Sequence, residues 1–282
     1  MKLLPCAAAL AAAAVLAPMT ASSAAPSPAR STAALPAVNM AATVKAAQID
    51  PRRADDTLTS GAKSSVLLVE RALQARHLLA AKWVDGYFGT TTVAAYASYQ
   101  KSLGYSGLAA NGLPGKASLT KLGAGRFTVT NVIAPGSRVE IRRGVVINTR
   151  TRSMLAAAEK ILARKLVLSQ GSYNPGGDPT SAGTHDGGGV VDISVNGMTS
   201  AYRVKVAKAL RTVGFAAWVR NPSQADWPWH IHAVAISDTD LSTQAQHQAG
   251  DYYLGKNGLA NRGRDDGPKV TPIRTWEEYQ RL

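Results

Sequence analysis

The sequence predicts an α+β protein: a small all-α, three-helix N-terminal module, then a C-terminal α+β domain with a small, largely antiparallel sheet. Three observations predict it. Apolar residues recur at helical spacing from Val66, in a region with two glycine turns and no strand pattern. From about residue 130, helical stretches alternate with short β-branched runs, the pattern of helices packed on a sheet. Between the two regions, "GAGRFTVTN" (123–131) is a short joint. A chain of 282 residues is long enough for two modest domains after a tail is set aside.

The chain begins "MKLLPCAAALAAAAVLAPMTASSAAPS", with Lys2, an apolar run and then small residues near Ser22 and Ala24. This reads as a secretory signal peptide over 1–24. The run is too short and too Ala-rich for a membrane span, so no stable membrane insertion is expected. Cys6, the sole cysteine, would leave with the signal, so the mature chain would hold no thiol and no disulfide. Residues 25–60, rich in Ala, Pro, Ser and Thr without a sustained period, read as a flexible spacer.

The helical module is expected over 61–124. Val66, Val69, Ala72 and Leu73 fall on one helical face, with Ser64 or Ser65 as N-cap and Glu70 and Arg71 toward water. His77 is placed on this first helix and given no role. "DGYFGTTT" (85–92) is echoed 26 residues later by "NGLPGKAS" (111–118). In each copy Asp or Asn with Gly makes a tight turn that needs positive φ. Thr92 and Ser118 would sit just inside, or cap, the helices that follow.

The second domain is expected over 130–282. "SRVEIRRGVVINTR" reads as strand material. "RSMLAAAEKILARKLVLS" reads as a helix with Met154, Leu155, Ala158, Ile161 and Leu162 inward, leading into the strand "LVLSQ". "TSAYRVKVAKALRTVG" is a second amphipathic helix closed by Gly214, and "FAAWVR" and "HIHAVAI" are strands. The segment beyond residue 250 reads as a loop packed on the surface, pinned by Trp276 and Tyr279.

Two motifs carry chemistry. In "DWPWHIHAVAI" (226–236) strand alternation puts His230 and His232 on one face, with Ile231, Ala233 and Ala235 on the other. Two neutral buried imidazoles would each need a partner, and a metal ion supplies one. An exposed pair on an edge strand is the other reading. In "HDGGGVVDISV" (185–195) three glycines let the backbone fold closely between His185 and Asp192. "VVDISV" is a strand with Val191 and Ile193 on one face and Asp192 on the other, beside Val190 and Ser194. His185, Asp192 and one of the two strand histidines would give two nitrogens and one oxygen. That is the donor set of a catalytic zinc site, which keeps a position open for water. With no thiol in the mature chain, a cysteine-ligated site is excluded. The net charge of +14 suggests an anionic partner, and behind a secretory signal that is an anionic cell wall rather than nucleic acid.

The stretch from about Ser64 to Leu122, on "VDGYFGTTTVAAYASYQKSLG" and "NGLPGKASLTKL", resembles the three-helix peptidoglycan-binding domain of bacterial wall hydrolases. The resemblance implies a shallow groove that grips wall glycopeptide. The stretch from about Lys165 to Ile236 resembles the zinc D-alanyl-D-alanine metallopeptidases, a group structurally related to lysostaphin-type peptidases and the hedgehog signalling domain. The matching residues are His185, Gly188, Val190 and Asp192, then His230 and His232. The resemblance implies zinc (Zn2+) held by His185, Asp192 and His232, with His230 beside the attacking water as base or orienter. It also implies a donor on a preceding strand aimed at the scissile carbonyl, a place that Gln170 fits. Two departures stand out. Gly183 occupies the position where the family often has Ser, and the nearest serine is Ser181. The acid that many relatives carry close before the last His is here Asp226, farther back and across Trp227-Pro228. Together these readings lead us to expect a secreted, wall-associated monomer that cleaves a peptide bond of peptidoglycan with zinc, as a carboxypeptidase or endopeptidase. A zinc amidase cutting between sugar and peptide, and a wall-binding protein that holds zinc without turnover, are the alternatives.

Overall fold

The first element of the computed structural model, which describes residues 34–282, lies inside the expected spacer. Strand β1 (Ala37–Asn39) runs into helix α1 (Met40–Ile49), whose N-terminus is capped by Asn39: its side chain accepts from the Ala42 N–H at 3.1 Å. Met40, Val44, Ala46, Ala47 and Ile49 are buried. The spacer reading is therefore corrected from residue 37 on. The helix is covered on more than one face, so it shows no amphipathic period, and its small residues imitate linker composition. The expected signal segment lies outside the described residues.

Helix α2 (Lys63–Gln74) buries Val66, Val69, Ala72 and Leu73 as the periodicity predicts. Neither serine caps it. The N-cap position is Ala62, and the Ser65 hydroxyl instead accepts from the Asn39 N–H at 3.0 Å. Glu70 does not face water: it is fully buried and accepts from the N–H groups of Asp85 and Gly86, at 3.1 and 2.8 Å, and from the Thr92 hydroxyl at 3.1 Å. His77 lies past the helix end, exposed and in a left-handed conformation.

Helices α3 (Thr90–Ser102) and α4 (Lys116–Gly123) each begin at the glycine that closes one of the repeated turns. The repeat has a physical basis beyond its own residues. Glu70, from the helix before the first turn, holds Gly86. Gln100, from the helix before the second, accepts from the Gly112 N–H at 2.8 Å and donates to the Leu113 carbonyl at 2.9 Å. Gly86 and Gly112 share the same φ, +87°. The chain leaves α4 through β2 (Thr128–Thr130), which pairs parallel to β1.

The next strand material is a hairpin, β3 (Arg138–Arg142) and β4 (Val145–Asn148), and Asn148 caps α5 (Thr149–Leu162). Met154, Leu155, Ala158 and Leu162 of α5 are buried. Ile161, expected inward, is 45% exposed, because it falls at the edge of a stripe centred between Leu155 and Ala158. Four strands form the main sheet: β5 (Leu168–Gln170), β6 (Val190–Ser194), β7 (Phe215–Arg220) and β8 (His230–Ala235). Their order is β5-β6-β8-β7 and every neighbouring pair is antiparallel. Helix α6 (Ser200–Thr212) precedes β7, with Gly214 at φ +105° in the turn. Helix α7 (Thr243–Tyr253), polar enough to be missed in the sequence, follows β8, and the short α8 (Trp276–Tyr279) opens on a Thr275/Glu278 capping box. Trp276 and Tyr279 pack against the core, as expected of pins.

The sheet has two unlike faces. Val191, Ile193, Phe215, Ala217, Ile231 and Ala233 pack with residues of α5 and α6. On the other face Val190, Ala216, Trp218 and Val234 share one core with α1, α7 and the three helices α2–α4. Residues 35–282 accordingly form one unit, an α+β fold with no separate body on either side of the 123–131 joint. Polar contacts cross it as well. Arg52 makes two bonds to buried Asp251, at 3.0 and 2.9 Å, and Asn111 donates to the Leu241 carbonyl at 2.8 Å. Among the described residues no helix is long and apolar enough to cross a membrane.

Candidate metal centre

Strand register assembles most of the site. Asp192 on β6 lies opposite His232 on β8, which lies opposite Trp218 on β7, while Gln170 on β5 is opposite Asp192 from the other side. Directly paired residues share a face, so these four form a row across the sheet. The next row is Ser194, His230 and Arg220.

The glycine loop brings in His185. The Gly188 N–H donates to the Asp240 carbonyl at 2.7 Å, and a Cβ on Gly187 would stand 2.2 Å from that same oxygen, so only glycine lets the loop lie this close. His185 is thereby placed under the Asp192 carboxylate, 1% exposed.

The hydrogen bonds fix the tautomers. His185 Nδ1 lies 2.8 Å from the Gly171 carbonyl, an acceptor only, so Nδ1 carries the proton and Nε2 presents a lone pair 3.4 Å from Asp192 Oδ2. Gln248 on α7 donates from Nε2 to the Gly258 carbonyl at 3.1 Å, which turns its Oε1 toward His232. His232 Nε2 donates to that oxygen at 2.9 Å, leaving the Nδ1 lone pair 2.8 Å from Asp192 Oδ1. Two lone pairs thus converge on a carboxylate, a repulsive arrangement unless a cation sits between them. One ligand atom from each of His185, Asp192 and His232 lies within 4.8 Å of the others, so the donor set fits a metal ion.

The electrostatics agree at Asp192 and His232, while at His185 the carboxylate favours a proton that a metal ion would have to displace. Burial pushes the Asp192 carboxyl up, but the two imidazoles facing it favour the ionised form when positive charge is present between or on them, and the balance holds it well below the usual range. Burial pulls both histidines down. Asp192 more than offsets this at His185, whereas buried His232, beside His185 and Arg220, stays lowered. An ionised carboxylate and a neutral imidazole at His232 are the states that a metal requires.

His230 stands apart from this trio. Its Nδ1 donates to the Pro228 carbonyl at 2.8 Å, and its Nε2 is 3.8 Å from Asp192 Oδ1, facing the site. Gln170 Nε2 is buried without a hydrogen-bond partner. All five predicted site residues, His185, Asp192, His232, His230 and Gln170, line one cavity of about 400 Å³. Ser181 also lines it, but its hydroxyl donates to the Asp178 carbonyl at 2.7 Å. Asp226 is exposed and outside the lining. Gln248 and Arg220 line the cavity too and were not foreseen. Gln248 comes from a helix with no clear apolar stripe. Arg220 alternates onto the Trp218 face of its strand, a signal visible in the sequence, but its place beside His230 depends on register.

Comparison with protein families, curated proteins and solved structures finds no match to this chain.

Proposed function

We propose that this chain is a secreted bacterial cell-wall hydrolase that cleaves a peptide bond of peptidoglycan with zinc. The observation that carries the reading is the convergence of the His185 and His232 lone pairs on Asp192, with His230 facing the same cavity from outside the ligand group. A zinc ion held by these three residues would polarise the scissile carbonyl and supply a water that is nucleophilic at neutral pH.

The rest of the chemistry falls to the chain's own groups. With Nδ1 committed to Pro228, His230 Nε2 is the acceptor side of the ring. It takes a proton from the attacking water and returns it to the leaving amine. The unpartnered Gln170 Nε2 donates to the carbonyl oxygen as negative charge develops there. In this reading α2, α3 and α4 are the three helices of a peptidoglycan-binding module. Beside the first repeated turn, a second cavity of about 550 Å³, lined by Trp83, Asp85, Tyr87 and Thr90–Thr92 among others, supports that role, since aromatic and polar groups together suit a glycopeptide.

The deciding experiment pairs zinc stoichiometry of the purified protein with mass spectrometry of digested peptidoglycan. One zinc per chain and cleaved stem peptides are expected. Fragments cut between sugar and peptide would make the protein an amidase. Zinc without fragments would leave a wall-binding protein, and neither zinc nor fragments would end the proposal.

A further inference from the structure

The cations of this fold are not treated alike. Arg52, Arg150, Arg211 and Arg262 each hold a carboxylate. Arg142, Arg164, Arg203 and Lys205 hold none among the described residues, and three contacts tie them to one side of the metal cavity. Arg142, on β3, donates from Nε and Nη2 to the Leu168 carbonyl at 3.1 and 2.7 Å, and from Nη2 to the Ser169 carbonyl at 3.2 Å. Ser169 lines the cavity. Arg203, on α6, lies over the ring of Trp229 at 4.6 Å, with its Nε buried and unpartnered. Trp229 lines the cavity too, next to His230. Arg164, just past α5, and Lys205, on α6, share a third ring, lying 5.1 and 5.9 Å from the centre of Tyr202, the residue before Arg203.

The nearby carboxylates leave this charge standing. Helix α6 carries Arg203, Lys205, Lys208 and Arg211 and no acid. The one acid of α5, Glu159, is taken by Lys165 at 2.7 Å and the Leu166 N–H at 2.9 Å. Glu140, on the strand of Arg142, accepts from the Gly144 N–H at 2.9 Å. Within the cavity lining, Asp192 faces His185 and His232, and Asp178 accepts from the Thr180 N–H and hydroxyl at 2.8 and 2.7 Å. Asp226 is exposed beside Trp227, outside the lining, and pairs with none of the four cations. Unpaired like charges held close together repel, and an anion laid across them relieves the repulsion. Guanidinium groups fixed by rings and carbonyls lose little freedom on binding, and their fork suits phosphate oxygens. Trp229 and Tyr202 are the rings that would anchor in a bilayer, but each has a cation over it, so a chain of phosphates in water fits this rim better than a lipid surface does.

We propose that Arg142, Arg164, Arg203 and Lys205 form a cationic rim that binds a phosphodiester polymer of the cell wall beside the mouth of the metal cavity. The polymer lies along the rim, where the cations neutralise its phosphates and release the counter-ions condensed on them. Wall strands that carry such a polymer are thereby concentrated at the cavity mouth, a contact separate from any made by the helices α2–α4. The partner's identity rests on the wall-hydrolase reading, and the rim itself rests on the contacts above.

The test titrates the full-length protein with soluble poly(glycerol phosphate) by calorimetry. With four cations engaged, log K should fall against log salt with a slope of about −3, roughly 50-fold weaker binding for a fourfold rise in salt. A variant joining Arg142→Gln, Arg164→Gln, Arg203→Gln and Lys205→Gln should lose most of that slope and bind on the order of 50-fold more weakly at low salt. A second variant of the same net charge, joining Lys101→Gln, Lys116→Gln, Arg126→Gln and Lys269→Gln, should bind nearly as the wild type does. No binding of the polymer by the wild type overturns the proposal without recourse to a variant. Equal weakening in the two variants also overturns it, since net charge alone would then be at work. Phosphatidylglycerol vesicles captured through the rim more tightly than the polymer would make it a lipid-binding face and overturn it as well. If the polymer binds through the rim but digested wall yields no cleaved stem peptides, the rim stands and the hydrolase reading fails. Cleaved stem peptides without polymer binding would leave the hydrolase and remove the rim.

Discussion

His232 is held from two sides, with Nε2 donating to Gln248 Oε1 at 2.9 Å and Nδ1 facing Asp192 Oδ1 at 2.8 Å. Ligand and base are thereby separable by experiment. His185→Ala, Asp192→Ala and His232→Ala should each strip zinc, measured by metal analysis after gel filtration. His230→Ala should keep zinc and lower turnover by about 10²–10⁴-fold, the range for losing a general acid–base. Loss of zinc from His230→Ala with retention in His232→Ala would exchange the two roles.

Gln248 touches no metal in this arrangement, yet it sets which nitrogen of His232 is free. Gln248→Ala should weaken zinc binding by about 10–100-fold, as loss of a ligand's outer partner does elsewhere. Competition with a chelator of known affinity measures this. An unchanged affinity would mean that the ring is oriented by Asp192 and Trp218 alone.

Gln170 should act on the reaction and not on the metal. Gln170→Ala should reduce kcat by about 10²–10³-fold with little change in KM and none in zinc content, the pattern of a donor used in the transition state. A rise in KM with kcat unchanged would assign it to substrate binding instead.

Glu70 gives the fold a pH dependence of its own. Burial pushes its carboxyl from 4.5 up to about 7, against the hydrogen bonds from Gly86 and Thr92. The folded state then binds this proton more tightly than the unfolded chain does. The stabilisation is full below pH 4.5, declines as pH rises toward 7 and is flat above that. The span is about 3 kcal/mol at 1.36 kcal/mol per unit. Glu70→Gln resembles the protonated state, so the stability of wild type minus variant should fall by that order between pH 4.5 and 8 in urea melts. A constant difference would mean that Glu70 titrates alike in the folded and unfolded chain.

Much of the site was legible because it depends on short-range rules. Strand alternation alone put Asp192 with Val190 and Ser194, and His230 with His232. Three consecutive glycines announced a close backbone approach beside His185. What escaped was set by long-range packing. Glu70 looks like a solvated helix residue until the turn at Gly86 closes over it. Helix α1 reads as spacer because Ala and Thr carry little hydrophobic signal, although it packs so closely on α7 that a Cβ on Gly250 would stand 2.0 Å from the Gln48 carbonyl oxygen. Arg220 and Gln248 reach the cavity only through strand register and the return of α7, which no local pattern encodes.

The contact between Asn111 and Leu241 makes the two halves poor candidates for exchange. Asn111 belongs to the second repeated turn, and Leu241 follows the Asp240 whose carbonyl steadies the glycine loop before Asp192. Transplanting residues 130–282 behind a different helical module would remove that donor, uncover α7 where α1 packs, and loosen the helix that carries Gln248. A chimera that preserved every cavity-lining residue would still lose the surface that keeps them in register. Lineages that recombine such parts would have to move residues 37–282 as one cassette.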